Sequence, residues 1–345
     1  MRIWNIENKK IFFEQVLKMK EDKVKDIIYK QKKKYYQNMI ELPKKDGKRY
    51  ICCIDKECDL YELQKNLCHN FLENIMISDS AYGFVKKFSY ADYLYPHTDF
   101  YKKKYYLRLD IKDFFGSIDY DILKSVLSYY FKVSDNLTEE DKKLLIEYTL
   151  EILTYEKSII QGAVTSPLIS NIVFRSLDIR ISRYCRRYSI KYTRYADDLL
   201  FSSENSRVYS DIFMSGITKI LASKCFYINY KKIIRSRGEI SLGGYVISDT
   251  IRLSRKKLSN INRVLFFLEN NTYENTEEYF NKMNTITQSQ GMKRKINGHY
   301  ELLNFLAGYR SFIISILKYS DDTKIIYKNN RIIKRIENVI LNIEQ

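Results

Sequence analysis

Three aspartates are the residues of this 345-residue chain whose types and spacing point most clearly to chemistry. Asp110 ends a strand-like segment, and Asp197 and Asp198 share a short turn between two others. Two carboxylates about 4 Å apart repel by roughly 4 kcal/mol at an effective dielectric constant of 20. Mg²⁺ offsets this repulsion, since it takes carboxylates and substrate phosphates as ligands. Two such ions stabilise an in-line phosphoryl displacement. The pattern therefore predicts two Mg²⁺ ions, with Mn²⁺ as a substitute; a solvated Asp-Asp turn is the simpler alternative.

The strand that carries Asp110 is expected to point its polar side chains into an open cleft. Residues 105–111 alternate, with Tyr106, Arg108 and Asp110 on the face opposite three apolar side chains. Residues 190–203 read as two short strands whose turn holds the other two aspartates. If this hairpin pairs beside the first strand, all three carboxylates meet at one sheet edge.

The remaining periodicity is mainly helical. A helix is expected to begin with Ser166 as N-cap and Pro167 in the first turn, and to run to about Tyr188. Residues 240–254 read as one hairpin that turns at residues 248–249. The order of elements predicts an α+β fold with helices on one face of an antiparallel sheet.

Composition indicates a nucleic-acid partner. Lys and Arg total 59 against 42 Asp and Glu, a net charge of +17, which favours polyanions because neutralised phosphates release counterions. Membrane surfaces or simple solubility are alternative explanations. The sequence shows neither a spanning apolar run nor a secretory signal, and we expect a cytoplasmic protein. The six cysteines then read as free thiols; a zinc site from Cys53, Cys58, Cys68 and His69 is a less favoured alternative.

Eight short motifs follow one another along residues 42–308. They read Leu-Pro-Lys-Lys-Asp-Gly-Lys-Arg at 42–49, Tyr-Gly-Phe at 82–84, Leu-Asp-Ile-Lys-Asp-Phe-Phe-Gly-Ser-Ile at 109–118, Gln-Gly-Ala-Val-Thr-Ser-Pro at 161–167, Tyr-Ala-Asp-Asp at 195–198, Asn-Tyr-Lys-Lys at 229–232, Leu-Gly-Gly-Tyr at 242–245 and Asn-Phe-Leu-Ala-Gly at 304–308. Together they resemble the motifs of bacterial reverse transcriptases of the retron and group II intron type, which include antiviral enzymes.

The resemblance implies a right-hand polymerase. Fingers would occupy residues 1–100, a palm residues 101–254 with inserted fingers elements at about 125–170, and a helical thumb with a C-terminal helix residues 255–345. The implied activity is RNA-directed DNA synthesis from dNTPs. The implied template is a cognate non-coding RNA. The implied biological role is antiviral defence, with an effector protein as a further partner. A true retron enzyme and another defence-associated reverse transcriptase stay open. Untemplated or protein-primed DNA synthesis and a non-catalytic nucleic-acid-binding scaffold are the alternative functions.

The resemblance also implies roles for individual residues. Asp110, Asp197 and the Ile111 carbonyl would ligate metal, with Asp198 as a weaker ligand beside them, and the Phe115 ring would lie under the sugar and exclude a 2′-hydroxyl. The implied nucleotide-binding residues are Lys44, Arg49, Asp113, Phe114, Phe115, Gln161, Gly162 and Lys232. The implied primer- and template-binding residues are His97, Leu242, Gly243, Gly244, Lys256, Lys257, Asn304 and Gly308.

Simpler interpretations stand beside several of these roles. One of Phe114 and Phe115 is expected to be a core residue, and the charges near residues 44–49 could belong to a solvated turn. Lys232 could be one more surface lysine. A single histidine such as His97 is more often structural than functional.

Overall fold

The structure, a computed structural model, describes residues 3–36, 39–44, 47–52, 54–288, 295–320 and 322–344. The chain forms two compact units. Unit 1 comprises Met1–Phe88, Leu107–Phe201 and Arg207–Ile234. Unit 2 comprises Ser89–Tyr106, Ser202–Ser206 and Arg235–Gln345. The predicted division into fingers, palm and thumb stays a prediction.

Helices account for most of the regular structure. The α-helices are Glu21–Lys25 (α1), Lys32–Tyr35 (α2), Asp59–Asn70 (α3), Tyr90–Leu94 (α4), Tyr120–Leu127 (α5), Glu139–Leu153 (α6), Ser166–Arg186 (α7), Asp211–Ala222 (α8), Arg255–Asn270 (α9), Glu277–Gln288 (α10), His299–Leu317 (α11) and Thr323–Glu344 (α12). Wider π-helical turns occupy Ile11–Leu17 and Asp26–Gln31. None of the described helices is both long and apolar enough to cross a membrane.

The strands are short and lie in several small sheets. They are Met39–Lys44 (β1), Gly47–Cys52 (β2), Tyr105–Asp110 (β3), Thr154–Tyr155 (β4), Ser158–Ile159 (β5), Lys191–Tyr195 (β6), Asp198–Ser203 (β7), Ile234–Arg237 (β8), Ile240–Leu242 (β9), Tyr245–Ile247 (β10) and Ile251–Leu253 (β11). The sheet orders are β1-β2, β4-β5, β6-β7-β3-β8 and β11-β10-β9. The predicted α+β class is confirmed.

Apolar burial on one face of the sheet anchors the strands of unit 1. Leu107 and Leu109 of β3 and Phe201 of β7 are fully buried. The Phe201 ring packs edge-on against Phe213 of α8, with centroids 5.4 Å apart. Burying a side chain of this size contributes about 1.5–3 kcal/mol. Alternation along β3 therefore fixes which face carries Asp110.

Two expectations for these elements were wrong in detail. Tyr106 does not face an open cleft: it is buried, and its hydroxyl donates to the His97 carbonyl oxygen at 3.3 Å within unit 2. Helix α7 begins one residue earlier than predicted, because Thr165 (φ −78°, ψ −29°) is the N-cap residue and Ser166 is already helical. The helix ends at Arg186 rather than near Tyr188.

The C-terminal part of unit 2 is a helical bundle. Helices α9, α10, α11 and α12 bury one continuous apolar cluster. Along α12 the apolar side chains recur three or four residues apart, so that one stripe of the helix is buried. The apolar cluster of the four helices includes Ile261, Met283, Leu306, Ile313 and Ile336.

A three-stranded antiparallel sheet lies in the same unit, where one hairpin was predicted. Besides the predicted turn near residue 248, the chain turns at Gly243 and Gly244, which have φ values of +60° and +95°. A side chain at Gly243 would come within 2.5 Å of the Tyr90 ring. The glycine pair therefore creates an additional strand boundary that alternation alone did not reveal.

A buried carboxylate connects α4 to the end of α11 within unit 2. Asp92 accepts from the Ser89 N–H at 2.7 Å, from Lys318 Nζ at 2.9 Å and from the Tyr319 hydroxyl. Burial alone would raise the pKa of Asp92, but these hydrogen bonds outweigh it and hold that pKa well below its usual value. The ionised carboxylate therefore stabilises the folded state.

Replacing this carboxylate by an amide tests that stabilisation. We expect Asp92→Asn to lower the free energy of unfolding at pH 7 by about 1.5–3 kcal/mol, because charge-assisted hydrogen bonds are lost. Since the folded-state pKa is depressed, the contribution is present above about pH 4, the usual Asp value, and is lost as the pH falls below it. Urea titrations of both proteins at pH 7, 5 and 3 measure the difference. A gap that stays constant down to pH 3 contradicts this account.

Candidate active site

Three carboxylates meet in unit 1. Asp110 ends β3, Asp197 lies in the turn between β6 and β7, and Asp198 begins β7. Each offers an oxygen atom, and these oxygen atoms lie within 4.8 Å of one another. The described residues contain no other group of three or more acidic, histidine or cysteine side chains so close.

Backbone hydrogen bonds hold the three carboxylates at one sheet edge. The Ile111 N–H donates to the Asp197 carbonyl oxygen at 3.0 Å, which ties the end of β3 to the hairpin turn. On the other side, the Asn229 N–H donates to the Asp110 carbonyl oxygen at 2.8 Å. The carboxylates are thus positioned by backbone bonds that do not depend on their own charges.

Two basic side chains contact the carboxylates directly. Arg108 Nη2 contacts Asp198 and lies 3.5 Å from Asp110 Oδ2. Lys232 Nζ donates to both Asp110 oxygens, at 3.0 and 2.9 Å. Lys232 is therefore bound at the carboxylates and is not simply one more surface lysine.

The carboxylates of the hairpin are protonated more readily than ordinary aspartates. Burial raises the pKa of Asp197, and the charge of Asp110 raises it further. Burial also raises the pKa of Asp198 to about 6, although Arg108 opposes the shift. The site therefore carries negative charge that its protein surroundings solvate poorly, and such a site favours a cation.

A fully buried ion pair connects the β6–β7 hairpin to α7. Arg194 of β6 and Asp178 of α7 are both inaccessible to solvent. Arg194 forms a bidentate ion pair with Asp178: Nε donates to Oδ1 at 2.9 Å and Nη2 donates to Oδ2 at 2.8 Å. Its Nη1 donates to the Ala196 carbonyl oxygen at 3.1 Å, inside the turn. Since loss of one partner would leave a buried charge unpaired, the pair fixes the turn relative to α7.

The turn also needs close backbone packing. Ala196 has a φ of +55°. A Cβ on Gly83 would lie 2.5 Å from the Ala196 nitrogen, so glycine is required at position 83. Asn171 Nδ2 donates to the Gly83 carbonyl oxygen at 2.8 Å, and Tyr82 N–H to the Arg194 carbonyl oxygen at 2.8 Å. The Tyr-Gly-Phe segment therefore braces the aspartate turn.

The carboxylates open into a cleft of about 810 Å³. Asp110 and Asp197 line it. The predicted metal-binding and nucleotide-binding residues that also line it are Ile111, Asp113, Phe114, Phe115, Gln161 and Lys232. Gly162, with φ +112°, follows Gln161 but is not among the lining residues. The backbones of Lys44 and Arg49 lie in the β1–β2 hairpin, and their side chains lie outside the described part of the structure.

The two phenylalanines after β3 differ in burial. Phe114 is 4% exposed and packs on Phe174 and Phe226, with centroids 5.7 and 5.9 Å away. Phe115 is half-buried, and its ring centroid lies 6.0 Å from that of Phe84. Phe114 is therefore the core residue of the pair, and Phe115 remains available to the cleft.

The predicted primer- and template-binding residues all belong to unit 2. Lys256, Asn304 and Gly308 are exposed, and Gly308 has open space where a Cβ would be. Leu242 is buried beside the turn at Gly243 and Gly244. Lys257 Nζ lies 5.4 Å from the centre of the Tyr309 ring.

His97 is placed differently from these residues. Its side chain is fully buried, and its Nδ1 lies 2.7 Å from Ser202 Oγ. In this position the imidazole packs inside unit 2, where RNA cannot reach it. Of the two interpretations given above, its burial favours the structural one.

Among the described residues, Cys58, Cys68 and His69 do not come together as a metal-binding group. Cys58, Cys68, Cys185 and Cys225 are free thiols. Burial raises the pKa of Cys68 to about 12, which disfavours the thiolate that zinc needs. Cys53 lies outside the described residues.

Sequence reasoning did not assign two parts of this site. Arg108 was placed on the same strand face as Asp110 but was given no role, although that alternation was the signal. No role was predicted for Asp178. It lies among the buried residues Phe174, Leu177 and Ile181 of α7, and a charged residue on an apolar stripe indicates a buried partner.

Comparison with known proteins agrees with this geometry. The profile of the family described as "Reverse transcriptase (RNA-dependent DNA polymerase)" matches residues 40–247. The retron Mx65 reverse transcriptase of Myxococcus xanthus is 28% identical over 219 residues, which cover 60% of this chain and 50% of that protein. The retron Ec73 reverse transcriptase of Escherichia coli is 31% identical over 193 residues, covering 55% of this chain and 57% of that protein.

A longer match is to the retron Ec83 reverse transcriptase of Escherichia coli, 26% identical over 262 residues that cover 68% of this chain and 81% of that protein. The chain spans only about half the length of the first two relatives. The family profile, however, covers more than half of this chain and includes all three carboxylates. The chain therefore belongs to the reverse transcriptase (RNA-dependent DNA polymerase) family.

Proposed function

We propose that this protein is an RNA-directed DNA polymerase that binds two Mg²⁺ ions at Asp110, Asp197 and Asp198. The observation that carries the proposal is the meeting of these carboxylates, within 4.8 Å, beside an 810 Å³ cleft that Asp110 and Asp197 line. Membership of the family supports the reaction type. A non-catalytic scaffold would gain nothing from three clustered, mutually repelling carboxylates.

The donor set fits divalent ions of oxygen-ligand chemistry. Asp110 and Asp197 would hold both ions, with Asp198 as a weaker ligand and the Ile111 carbonyl completing one coordination sphere. When bound, the ions stabilise charge on the attacking and leaving oxygens of the transferred phosphoryl group. Lys232, which is half-exposed, can turn from Asp110 toward a triphosphate and deliver a proton to the leaving pyrophosphate.

The remaining residues of the cleft would bind the nucleotide. Backbone N–H groups of Asp113 and Phe114 supply donors for phosphate oxygens. Asp113 has a φ of +46°. A Cβ at Gly116 would lie 2.3 Å from the Asp113 carboxylate, so the loop after β3 leaves no room for a side chain at position 116. The Phe115 ring would meet the sugar, and Gln161 would line the pocket. Lys44 and Arg49 would approach the triphosphate from the β1–β2 hairpin.

The positive charge of the protein and exposed residues of unit 2 would bind the template and the product. The net charge of +17 favours a nucleic-acid duplex. Exposed Lys256, Asn304 and Gly308 are proposed contacts of the template–product duplex; Gly308 leaves room for a backbone to approach.

A cognate non-coding RNA template, a role in antiviral defence and an effector partner are proposals that rest on the resemblance. The three relatives named above are retron reverse transcriptases. Sequencing of the nucleic acid that copurifies with the protein identifies template, product and priming site together. DNA covalently joined to the protein would instead support protein priming. The expected cytoplasmic location also stays a prediction.

Asp197→Asn separates catalysis from folding. We expect nucleotide incorporation on an RNA template to fall by about 100-fold or more, because a metal ligand is lost while side-chain volume is kept. Binding of an RNA–DNA duplex and the thermal midpoint should remain, since burial already disfavours the charged form. Primer extension and fluorescence anisotropy measure the two properties.

The matched control is Asp211→Asn, which removes the same charge from the exposed first turn of α8. It should extend primers at the wild-type rate. Incorporation by Asp197→Asn at the wild-type rate would defeat the proposed function.

Phe115→Val tests the choice of sugar. A smaller side chain would admit the 2′-hydroxyl, and we expect discrimination against ribonucleotides, as a ratio of kcat/KM values, to fall by about tenfold or more. Phe213→Val is the matched control: it should lower the thermal midpoint, because Phe213 is fully buried against Phe201, and leave discrimination unchanged. Equal discrimination by Phe115→Val and wild type rejects this role.

Metal affinity is expected to depend on pH. The pKa of Asp198 is raised to about 6, so this group is neutral below that pH and an arriving cation must displace a proton. Apparent Mn²⁺ affinity should therefore rise as the pH increases to about 6 and level off above 7. Calorimetry in buffers of different ionisation enthalpy counts the protons released. Affinity that is flat from pH 5 to 8 runs against this expectation.

A further inference from the structure

Arg108 occupies a position that the proposed chemistry does not explain. Its guanidinium contacts Asp198, lies 3.5 Å from Asp110 Oδ2, and donates from Nη1 to the Lys232 carbonyl oxygen at 3.3 Å. Only 16% of the side chain is exposed. It therefore connects β3, the aspartate turn and the turn at residues 230–232 within unit 1.

The charges that face this guanidinium come from three elements. Asp110 lies on its own strand, Asp197 and Asp198 lie at the hairpin, and Lys232 lies at the turn before β8. Lys232 binds Asp110 from the other side and is 45% exposed. Arg108 is thus the more buried of the two cations and the one that contacts Asp198.

We propose that Arg108 is a built-in counter-cation that holds Asp198 in place when no metal is bound and competes with metal for the carboxylates. This inference rests on the proposed function, because it assumes that the three aspartates bind divalent ions. Without a cation, ionised carboxylates at these separations repel one another. Arg108 offsets that repulsion and keeps the site assembled.

The same positive charge opposes an incoming metal ion. A unit charge a few ångströms from the site lowers cation affinity, and the guanidinium already occupies one oxygen atom of Asp198. Arginine suits this position because its planar fork can reach two acceptors at once, whereas lysine acts as a point charge. Arg108 is therefore a positioning residue that lowers metal affinity while it stabilises the metal-free site.

The test measures stability and metal binding, neither of which requires polymerase activity. Arg108→Gln, Arg108→Lys and wild type are compared by thermal unfolding in EDTA at pH 8 and by calorimetric titration with Mn²⁺. Arg183→Gln, an exposed arginine of α7, removes the same charge elsewhere in unit 1.

We expect Arg108→Gln to lower the thermal midpoint in EDTA by about 3–6 °C, because carboxylate repulsion is no longer offset. It should bind Mn²⁺ about tenfold more tightly, so that saturating Mn²⁺ restores most of the lost stability. Arg108→Lys should keep near-wild-type Mn²⁺ affinity and lose part of the stability. Arg183→Gln should change neither quantity.

A double variant distinguishes the Asp198 contact from a general loss of packing. In an Asp198→Asn background, Arg108→Gln should change the thermal midpoint in EDTA much less than it does alone. An equal change in both backgrounds overturns the inference, as does unchanged or weaker Mn²⁺ binding by Arg108→Gln.

The outcomes also separate this inference from the proposed function. If wild type fails to bind Mn²⁺, the metal-dependent function fails, and so does the claim of competition. The unfolding comparison in EDTA then still decides whether Arg108 holds Asp198. If wild type binds Mn²⁺ and Arg108→Gln matches it in both measurements, only the role of Arg108 is lost.

Discussion

Repulsion among three carboxylates is the constraint on which the structure of unit 1 depends. Asp110, Asp197 and Asp198 offer oxygen atoms within 4.8 Å of one another, and burial raises the pKa of both hairpin aspartates. Such a cluster disperses unless other forces hold it. Here the forces are backbone bonds at the end of β3, apolar burial beneath the sheet, and the cations Arg108 and Lys232.

The turn between β6 and β7 shows how much of the surrounding structure serves this constraint. A buried arginine, Arg194, binds Asp178 below the turn and the Ala196 carbonyl oxygen within it. Gly83 packs so closely on the turn that no side chain fits. A buried ion pair, a positive φ and close backbone contact each cost free energy. Together they hold Asp197 and Asp198 in one position.

Much of this site could be predicted from the sequence, because alternation and turn signals are local. Alternation along β3 predicted the face of Asp110, and the hairpin of Asp197 followed from strand patterns around a short turn. The family match confirms the resemblance to reverse transcriptases that the motifs carried. What escaped prediction depends on contacts distant in sequence: Asp178 meets Arg194 only after α7 packs on the sheet, and Tyr106 is buried by residues that alternation cannot identify. His97, which the resemblance placed among the primer- and template-binding residues, is buried.

Locating bound metal in a crystal tests the central claim most directly. Crystals of the protein soaked in Mn²⁺, with diffraction recorded at the manganese absorption edge, reveal each ion by its anomalous signal. The account predicts anomalous peaks between Asp110 and Asp197, in contact with their carboxylate oxygens. Crystals that show ordered Asp110, Asp197 and Asp198 side chains but no anomalous peak among them at saturating Mn²⁺ would contradict it.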